Sequence, residues 1–230
     1  MQVAILAGGL ATRLGNLTKN RPKSLVEVYG KPFIEYQLEL LRKGGIDNII
    51  LCLGHAGEQI ERHCGNGEKY GVNIKYSIED KLLGTAGALR KAEVLFNDVF
   101  FTMYGDSYLF LDFPAAMRIF ESQNKLAQMT VYRNYDRYDR SNTAVEGNLV
   151  KKYSKQERTE DMTYIDYGAN IFRKEALKMI PESQFYSLED LFPRLIETDE
   201  LLAFEVKERF YEIGSPQGLK EFTEYVGVTK

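Results

Sequence analysis

The sequence predicts an α/β fold with a mixed, mostly parallel central sheet flanked by helices, and three observations carry that expectation. In the first half, short apolar runs alternate with amphipathic segments, the pattern of strands covered on both faces by helices. In the second half the runs come closer together and turn residues crowd between them, as in a small β-rich subregion. The opening run Val3-Ala4-Ile5-Leu6 passes directly into Ala7-Gly8-Gly9-Leu10-Ala11-Thr12-Arg13, so a buried strand ends in a glycine loop. The chain has 230 residues, 44% hydrophobic and 27% charged, enough for one well-cored domain over 1–230.

Taken in order, strands are expected over 3–6, 49–53, 72–77 and 99–103, with helices over 33–43, 57–63 and 85–95. Gly44-Gly45 closes the first helix. Further strands are expected over 127–132, 143–145, 149–153 and 164–172, with a turn at Glu146-Gly147-Asn148. The polar stretch 136–161 reads as loops and a hairpin over a site. Helices then follow over 174–179, 187–196 and 216–225, the last with Ser215 as N-cap and Pro216 in its first turn. No repeat, low-complexity tract or linker divides the chain, and its two halves read as about 1–110 and about 111–230 of one fold.

Composition excludes several classes. A net charge of −3 gives no reason to expect nucleic acid or an anionic membrane surface as partner. The first apolar run is too brief for a secretory segment and no run is long enough to span a bilayer, so a cytoplasmic protein is expected. Cys52 and Cys64 suggest ordinary thiols rather than a disulfide framework, and His55, His63 and Cys64 lack a fourth zinc ligand at metal spacing.

The start of the chain is the most specific chemical signal. Glycines without Cβ let backbone N–H groups close on phosphate oxygens, and Arg13 and Lys23 supply the positive charge that a triphosphate demands. Neither the Walker loop nor the three-glycine dinucleotide loop fits, which disfavours a dinucleotide-dependent dehydrogenase. Downstream, Tyr104-Gly105-Asp106 places a carboxylate beyond the carboxyl end of a strand, where open α/β sheets bind ligands. Glu212, in Phe210-Tyr211-Glu212-Ile213-Gly214-Ser215-Pro216, also closes a short strand, and such hard oxygen ligands suit Mg²⁺.

The run from Leu6 to Lys31, with Gly8-Gly9, Thr12-Arg13-Leu14, Leu17-Thr18, Pro22-Lys23 and Gly30-Lys31-Pro32, resembles the signature of the sugar-1-phosphate nucleotidylyltransferases. Ala11 stands where that family usually has a glycine, Ser24 where it usually has a proline, and Glu212 where aspartate is more usual. The resemblance implies a Rossmann-like nucleotide-diphospho-sugar transferase fold and the transfer of a nucleotidyl group from a nucleoside triphosphate to a sugar 1-phosphate, with the nucleotide in the first half and the sugar phosphate in the second. It implies catalytic roles for Arg13, Lys23 and Asp106, magnesium on Asp106 and Glu212, and nucleotide contacts from Leu6, Ala7, Gly8, Gly9, Glu79, Gly84 and Thr85.

Within that frame Glu79 favours GTP, because a carboxylate accepts the adjacent N1–H and amino donors of guanine. UTP, dTTP and CTP are the alternatives. Gly84 would let a base approach, and Thr85 would cap the helix it begins. On the sugar side Gly168, in Tyr164-Ile165-Asp166-Tyr167-Gly168-Ala169-Asn170, would let a pyranose lie against backbone, Lys155 would meet the acceptor phosphate and Asn142 would read hydroxyls. Heptose-1-phosphate and mannose-1-phosphate guanylyltransferases are the most similar subgroups. A non-catalytic regulator that binds nucleotide sugar on the same scaffold is the alternative of another class, and the number of subunits, a homo-oligomer included, stays open.

Overall fold

The computed structural model describes residues 1–9, 14–15, 18–19 and 21–229. Arg13 lies outside the described residues, as do Leu10, Ala11, Thr12 and Leu17 of the opening signature. The chain runs through β1 (Gln2–Ala7), β2 (Glu27–Val28), β3 (Lys31–Pro32), α1 (Phe33–Lys43), β4 (Asn48–Leu53), α2 (Gly57–Cys64), β5 (Asn73–Ile78), α3 (Gly84–Lys91) and β6 (Val99–Tyr104). It continues through β7 (Ser107–Tyr108), α4 (Phe113–Glu121), β8 (Ala127–Arg133), β9 (Thr143–Glu146), β10 (Leu149–Tyr153) and β11 (Tyr164–Arg173). The last elements are α5 (Leu188–Glu197), β12 (Leu201–Val206), β13 (Tyr211–Glu212) and α6 (Pro216–Thr229).

Among the described residues nine strands form one sheet in the order β5-β4-β1-β6-β11-β8-β12-β10-β9. The first four pair in parallel, as the apolar runs of the first half require. β11 then enters antiparallel to both β6 and β8, and β12 lies parallel to β8. The sheet is therefore parallel over the first four strands and mixed beyond them, the mixed sheet that the sequence predicts. Side chains alternate as strand geometry dictates. Val3, Ile5, Ile49, Leu51 and Phe101 pack on one face with Ile34, Leu38 and Phe113, while Ala4, Ile50, Cys52 and Phe100 pack on the other with Leu89, Leu191 and Phe192.

Four elements depart from expectation. β12 was not anticipated, although it fills a central place in the sheet between β8 and β10. α4 was also missed; Pro114 stands in its first turn and Asp112 caps it through the Ala115 N–H. The segment Lys174–Met179 is 3₁₀ rather than α, and the helix expected to 95 ends at Lys91 before a 3₁₀ turn over Glu93–Leu95. Ser187 caps α5 in a capping box with Asp190, and the Ser215 hydroxyl accepts the Gly218 N–H at the start of α6. Among the described residues no helix is long and apolar enough to cross a membrane.

Candidate active site

The carboxyl ends of β1, β5 and β6 open on one rim. β1 delivers Leu6 and Ala7 and leads to Gly8 and Gly9, and β6 delivers Tyr104, Gly105 and Asp106. The Gly105 N–H donates to the Leu6 carbonyl at 2.9 Å, so the two strand ends are tied together. Lys23, in the 3₁₀ turn Lys23–Leu25, reaches across and donates from Nζ to Asp106 Oδ2 at 2.6 Å. The neighbouring Ser24, where a proline was expected from the resemblance, is buried and donates from Oγ to the Gly105 carbonyl at 3.2 Å.

These residues wall a cavity that also takes in Glu79, Gly84, Thr85 and Ala88. Glu79 follows β5 and is half-buried. Its Oε2 accepts the Leu83 N–H at 2.9 Å, and its Oε1 lies 3.3 Å from where a Cβ on Gly8 would stand. Burial raises its pKa above the ordinary glutamate range, against the opposing pull of the Leu83 N–H and of Lys91.

Gly84 and Thr85 line this cavity, but their residue types answer to a second loop. Gly84 has φ +73°, and a Cβ there would come within 2.7 Å of the Tyr186 carbonyl oxygen. The Thr85 hydroxyl accepts the Leu188 N–H at 2.7 Å, so it satisfies an orphan donor of α5 and does not cap its own helix.

A second cavity, of about 470 Å³, opens on the other side of Asp106. Its walls include Tyr138, Lys155, Arg209, Glu212, Gln217 and Glu221. Tyr104 and Asp106 line both cavities. Asp106 and Glu212 come together through backbone: β7 and β13 pair antiparallel with Glu212 opposite Ser107, and the Ile213 N–H donates to the Asp106 carbonyl at 2.9 Å. The Glu212 carboxylate accepts from the Gly214 N–H, from the Ser215 hydroxyl, and from the Ser215 N–H at 3.1 Å. Gly218 makes room for it, since a Cβ there would stand 1.8 Å from Glu212 Oε1.

The three sugar-side candidates fare differently. Lys155 lines the second cavity, with Nζ 2.9 Å from Glu189 Oε1. Asn142 and Gly168 do not line either cavity. Asn142 Oδ1 accepts the Asp166 N–H at 3.0 Å and the Thr143 hydroxyl at 2.8 Å, which pins β11 where its pairing with β8 is irregular. Gly168, at φ +100°, lies beneath Tyr104 and Ser107, and a Cβ would meet the Ser107 Oγ at 3.2 Å. Both therefore shape the floor under the site.

Two positioning residues went unread in the sequence. Gln37 is fully buried on the apolar face of α1 and donates from Nε2 to the carbonyls of Tyr104 at 3.0 Å and Ser107 at 2.8 Å, holding the turn that presents Asp106. The signal was a lone amide in the stripe Phe33, Ile34, Leu38, Leu41. Asp166 accepts the Tyr104 hydroxyl at 3.1 Å and the Gly168 N–H at 3.0 Å, and burial raises its pKa.

A strand-end glycine loop, a lysine–aspartate pair at the junction of two cavities and a second acid on the adjoining ribbon thus meet at one rim of the sheet. A sequence model of the family described as Nucleotidyl transferase matches residues 2–227. The chain belongs to the nucleotidyl transferase family. The heptose-1-phosphate guanylyltransferase (D-glycero-alpha-D-manno) of Campylobacter jejuni is 28% identical over 222 residues, covering 96% of this chain and 98% of that one. The UTP–glucose-1-phosphate uridylyltransferase of Synechocystis sp. is 33% identical over 216 residues, 86% of this chain, and this chain spans 56% of its length. The crystal structure of HddC from Yersinia pseudotuberculosis complexed with GMP-PN superposes with a TM-score of 0.79 at 27% identity, covering 98% of this chain and 99% of that one. The nucleotide-diphospho-sugar transferase fold expected from the sequence is thus the observed one.

Proposed function

We propose that this member of the family transfers a nucleotidyl group from a nucleoside triphosphate to a sugar 1-phosphate, releasing pyrophosphate. The observation that carries the reading is the sharing of Tyr104 and Asp106 between the two cavities, with Lys23 on Asp106 at 2.6 Å. A nucleotide in the first cavity and a sugar phosphate in the second would bring their phosphates together at that point.

The acceptor phosphate oxygen is already anionic at neutral pH, so no general base is needed. That oxygen attacks the α-phosphorus in line; the new P–O bond forms as the bond to the bridging oxygen breaks, and pyrophosphate leaves with the electron pair. Catalysis rests on holding two mutually repelling anions together and neutralising the charge that builds between them. Lys23 contributes that charge at the junction, and Arg13 is assigned to the departing pyrophosphate.

Magnesium is part of the proposal. Among the described residues Asp106 Oδ1 has only a 3.5 Å contact from the Ser107 hydroxyl, and Glu212 stands on the adjoining strand, so two hard carboxylates are within one ribbon. Among the described residues no three metal-ligating side chains cluster, so the ion would draw its other ligands from phosphate and water, as Mg²⁺ commonly does. When bound it would neutralise phosphate charge. Asp106 and Glu212 would hold it.

GTP is the favoured nucleotide. Glu79 Oε1 accepts no hydrogen bond among the described residues while Oε2 is fixed by Leu83, which leaves an oriented acceptor on the cavity wall for the paired donors of guanine. The guanylyltransferase relative and the GMP-PN complex of HddC support this choice. UTP is the second reading, favoured by the identity to the Synechocystis uridylyltransferase. The test is a matrix of GTP, UTP, dTTP and CTP against mannose, glucose and heptose 1-phosphates, read by magnesium-dependent pyrophosphate release. The expected result is turnover with GTP; turnover with UTP alone would overturn the role of Glu79, and no turnover with any pair would overturn the transferase reading.

A further inference from the structure

The second cavity contains a cation that the transfer reaction does not use. Arg209, three residues before Glu212, has its guanidinium carbon 3.9 Å from the Tyr138 ring centroid and 4.4 Å from that of Tyr211. Two aromatic faces thus fix the plane of the fork. One edge is occupied: Nη2 donates to Glu221 of α6, and Nε donates to the Phe210 carbonyl at 3.2 Å. Nη1 donates to nothing among the described residues, in a side chain that lines the cavity.

The charge around it is already balanced or negative. Asp106, Asp139, Glu212 and Glu221 face the cavity against Lys155 and Arg209, four carboxylates to two cations. Hydrogen bonds from Arg209 and Gln217 hold the Glu221 carboxylate below its ordinary range, so it stays ionised opposite the guanidinium. A cation neutralised by its own partner has no spare charge for an additional acid. It has donors to offer, beside carboxylate and amide acceptors and an exposed Tyr138. Aromatic face, fixed donors and neighbouring acceptors are what a neutral sugar ring with several hydroxyls requires.

We propose that Arg209, clamped between Tyr138 and Tyr211 and balanced by Glu221, is the specificity-determining residue of the acceptor site, reading the hydroxyls of a neutral pyranose 1-phosphate and rejecting acceptors that carry a further acid. The inference rests on the transferase reading. Lys23 and Lys155 are left to the acceptor's phosphate, and Arg209 to its ring.

The experiment compares mannose 1-phosphate, glucose 1-phosphate and glucuronic acid 1-phosphate in the wild type and in R209Q, R209K and E221Q, with the nucleotide that the wild type uses. R209Q is expected to raise KM for the best neutral acceptor about tenfold while KM for the nucleotide stays within about twofold, and R209K, which keeps charge without the planar fork, to recover only part of the loss. E221Q removes a negative charge and is expected to raise the ratio of glucuronic to neutral acceptor kcat/KM about tenfold. Should R209Q not fold, R209K and E221Q carry the same comparison. An unchanged acceptor KM in the arginine variants, or a wild type that prefers glucuronic acid 1-phosphate, would overturn the assignment while leaving the transferase reading intact. A wild type that turns over no pair would overturn both.

Discussion

The first cavity is walled largely by backbone and strand ends, Gly8, Gly9, Gly84 and Gly105 among them, whereas the second is walled by long side chains, Lys155, Arg209, Glu212 and Glu221, arriving from separate stretches of chain. The two meet at Tyr104 and Asp106. The difference teaches where each half of the site stores its information. A backbone cradle is set by local sequence, because glycine and strand ends must fall at fixed spacings to make it. A side-chain wall is set by topology, because its members become neighbours only when β13 pairs with β7 and α6 packs behind it. The first region should therefore tolerate changes in the second, and the junction should tolerate none.

The largest expected effect lies at the junction. Lys23→Ala should lower turnover by about 10²–10³-fold, the range seen when one preorganised charge-stabilising donor is removed, while leaving the melting temperature within a few degrees. Pyrophosphate release and thermal denaturation measure the two sides. Full turnover would remove the junction from the chemistry.

Gly218→Ala tests the independence of the two walls. Its Cβ would collide with Glu212 Oε1, forcing that carboxylate away and lowering turnover by about 10²-fold, as a misplacement of about 1 Å can. Binding of a fluorescent nucleotide analogue to the first cavity should be unchanged. Equal losses in both would show that the walls are one unit.

Gln37→Leu tests the tie beneath Asp106. It removes two donors from buried carbonyls and should cost about 1–3 kcal/mol in urea denaturation, with a fall in kcat rather than in nucleotide KM. A loss of stability with unaltered kcat would mean that Gln37 supports the fold alone.

Glu79→Gln should give the smallest effect and one that depends on pH. A carboxyl whose folded pKa is raised favours the folded state most below its unfolded pKa, and that advantage is lost as pH rises through the folded value. The amide keeps an acceptor for the Leu83 N–H without the buried charge, so the variant should gain stability relative to wild type at pH 7 and show little gain at pH 4. Melting curves at the two pH values check the sign. In kinetics the same change should narrow the preference for GTP over UTP.

Much of the parallel half of the fold was legible. The apolar runs that become β1, β4, β5 and β6, and the α1 stripe over 33–43, are local patterns that tertiary context did not override. β12 was not legible, although a turn at Thr198-Asp199 separates it from α5, because its apolar run over Leu201–Val206 is brief and broken by Glu205. In the site, Lys23, Asp106 and Glu79 were readable from their place after strands and loops. Gly84 and Thr85 line the first cavity as expected, but they are also shaped by the 186–188 loop, while Asn142 and Gly168 sit at the β11 irregularity, Gly168 beneath the Ser107 and Tyr104 side chains. Arg209 carries no local mark, since Glu221 lies on another element, and Gln37 shows only as a lone amide within the apolar stripe of α1.

The central claim is that one molecule spans both cavities through Asp106, and hydrogen–deuterium exchange with a nucleotide sugar tests it most directly. With GDP-mannose and UDP-glucose as separate probes in the presence of magnesium, the account predicts that at least one slows exchange together in 8–9, 83–87, 104–107 and 210–218, and that GDP or UDP alone slows only the first three. Protection confined to the first cavity with every nucleotide sugar would contradict it.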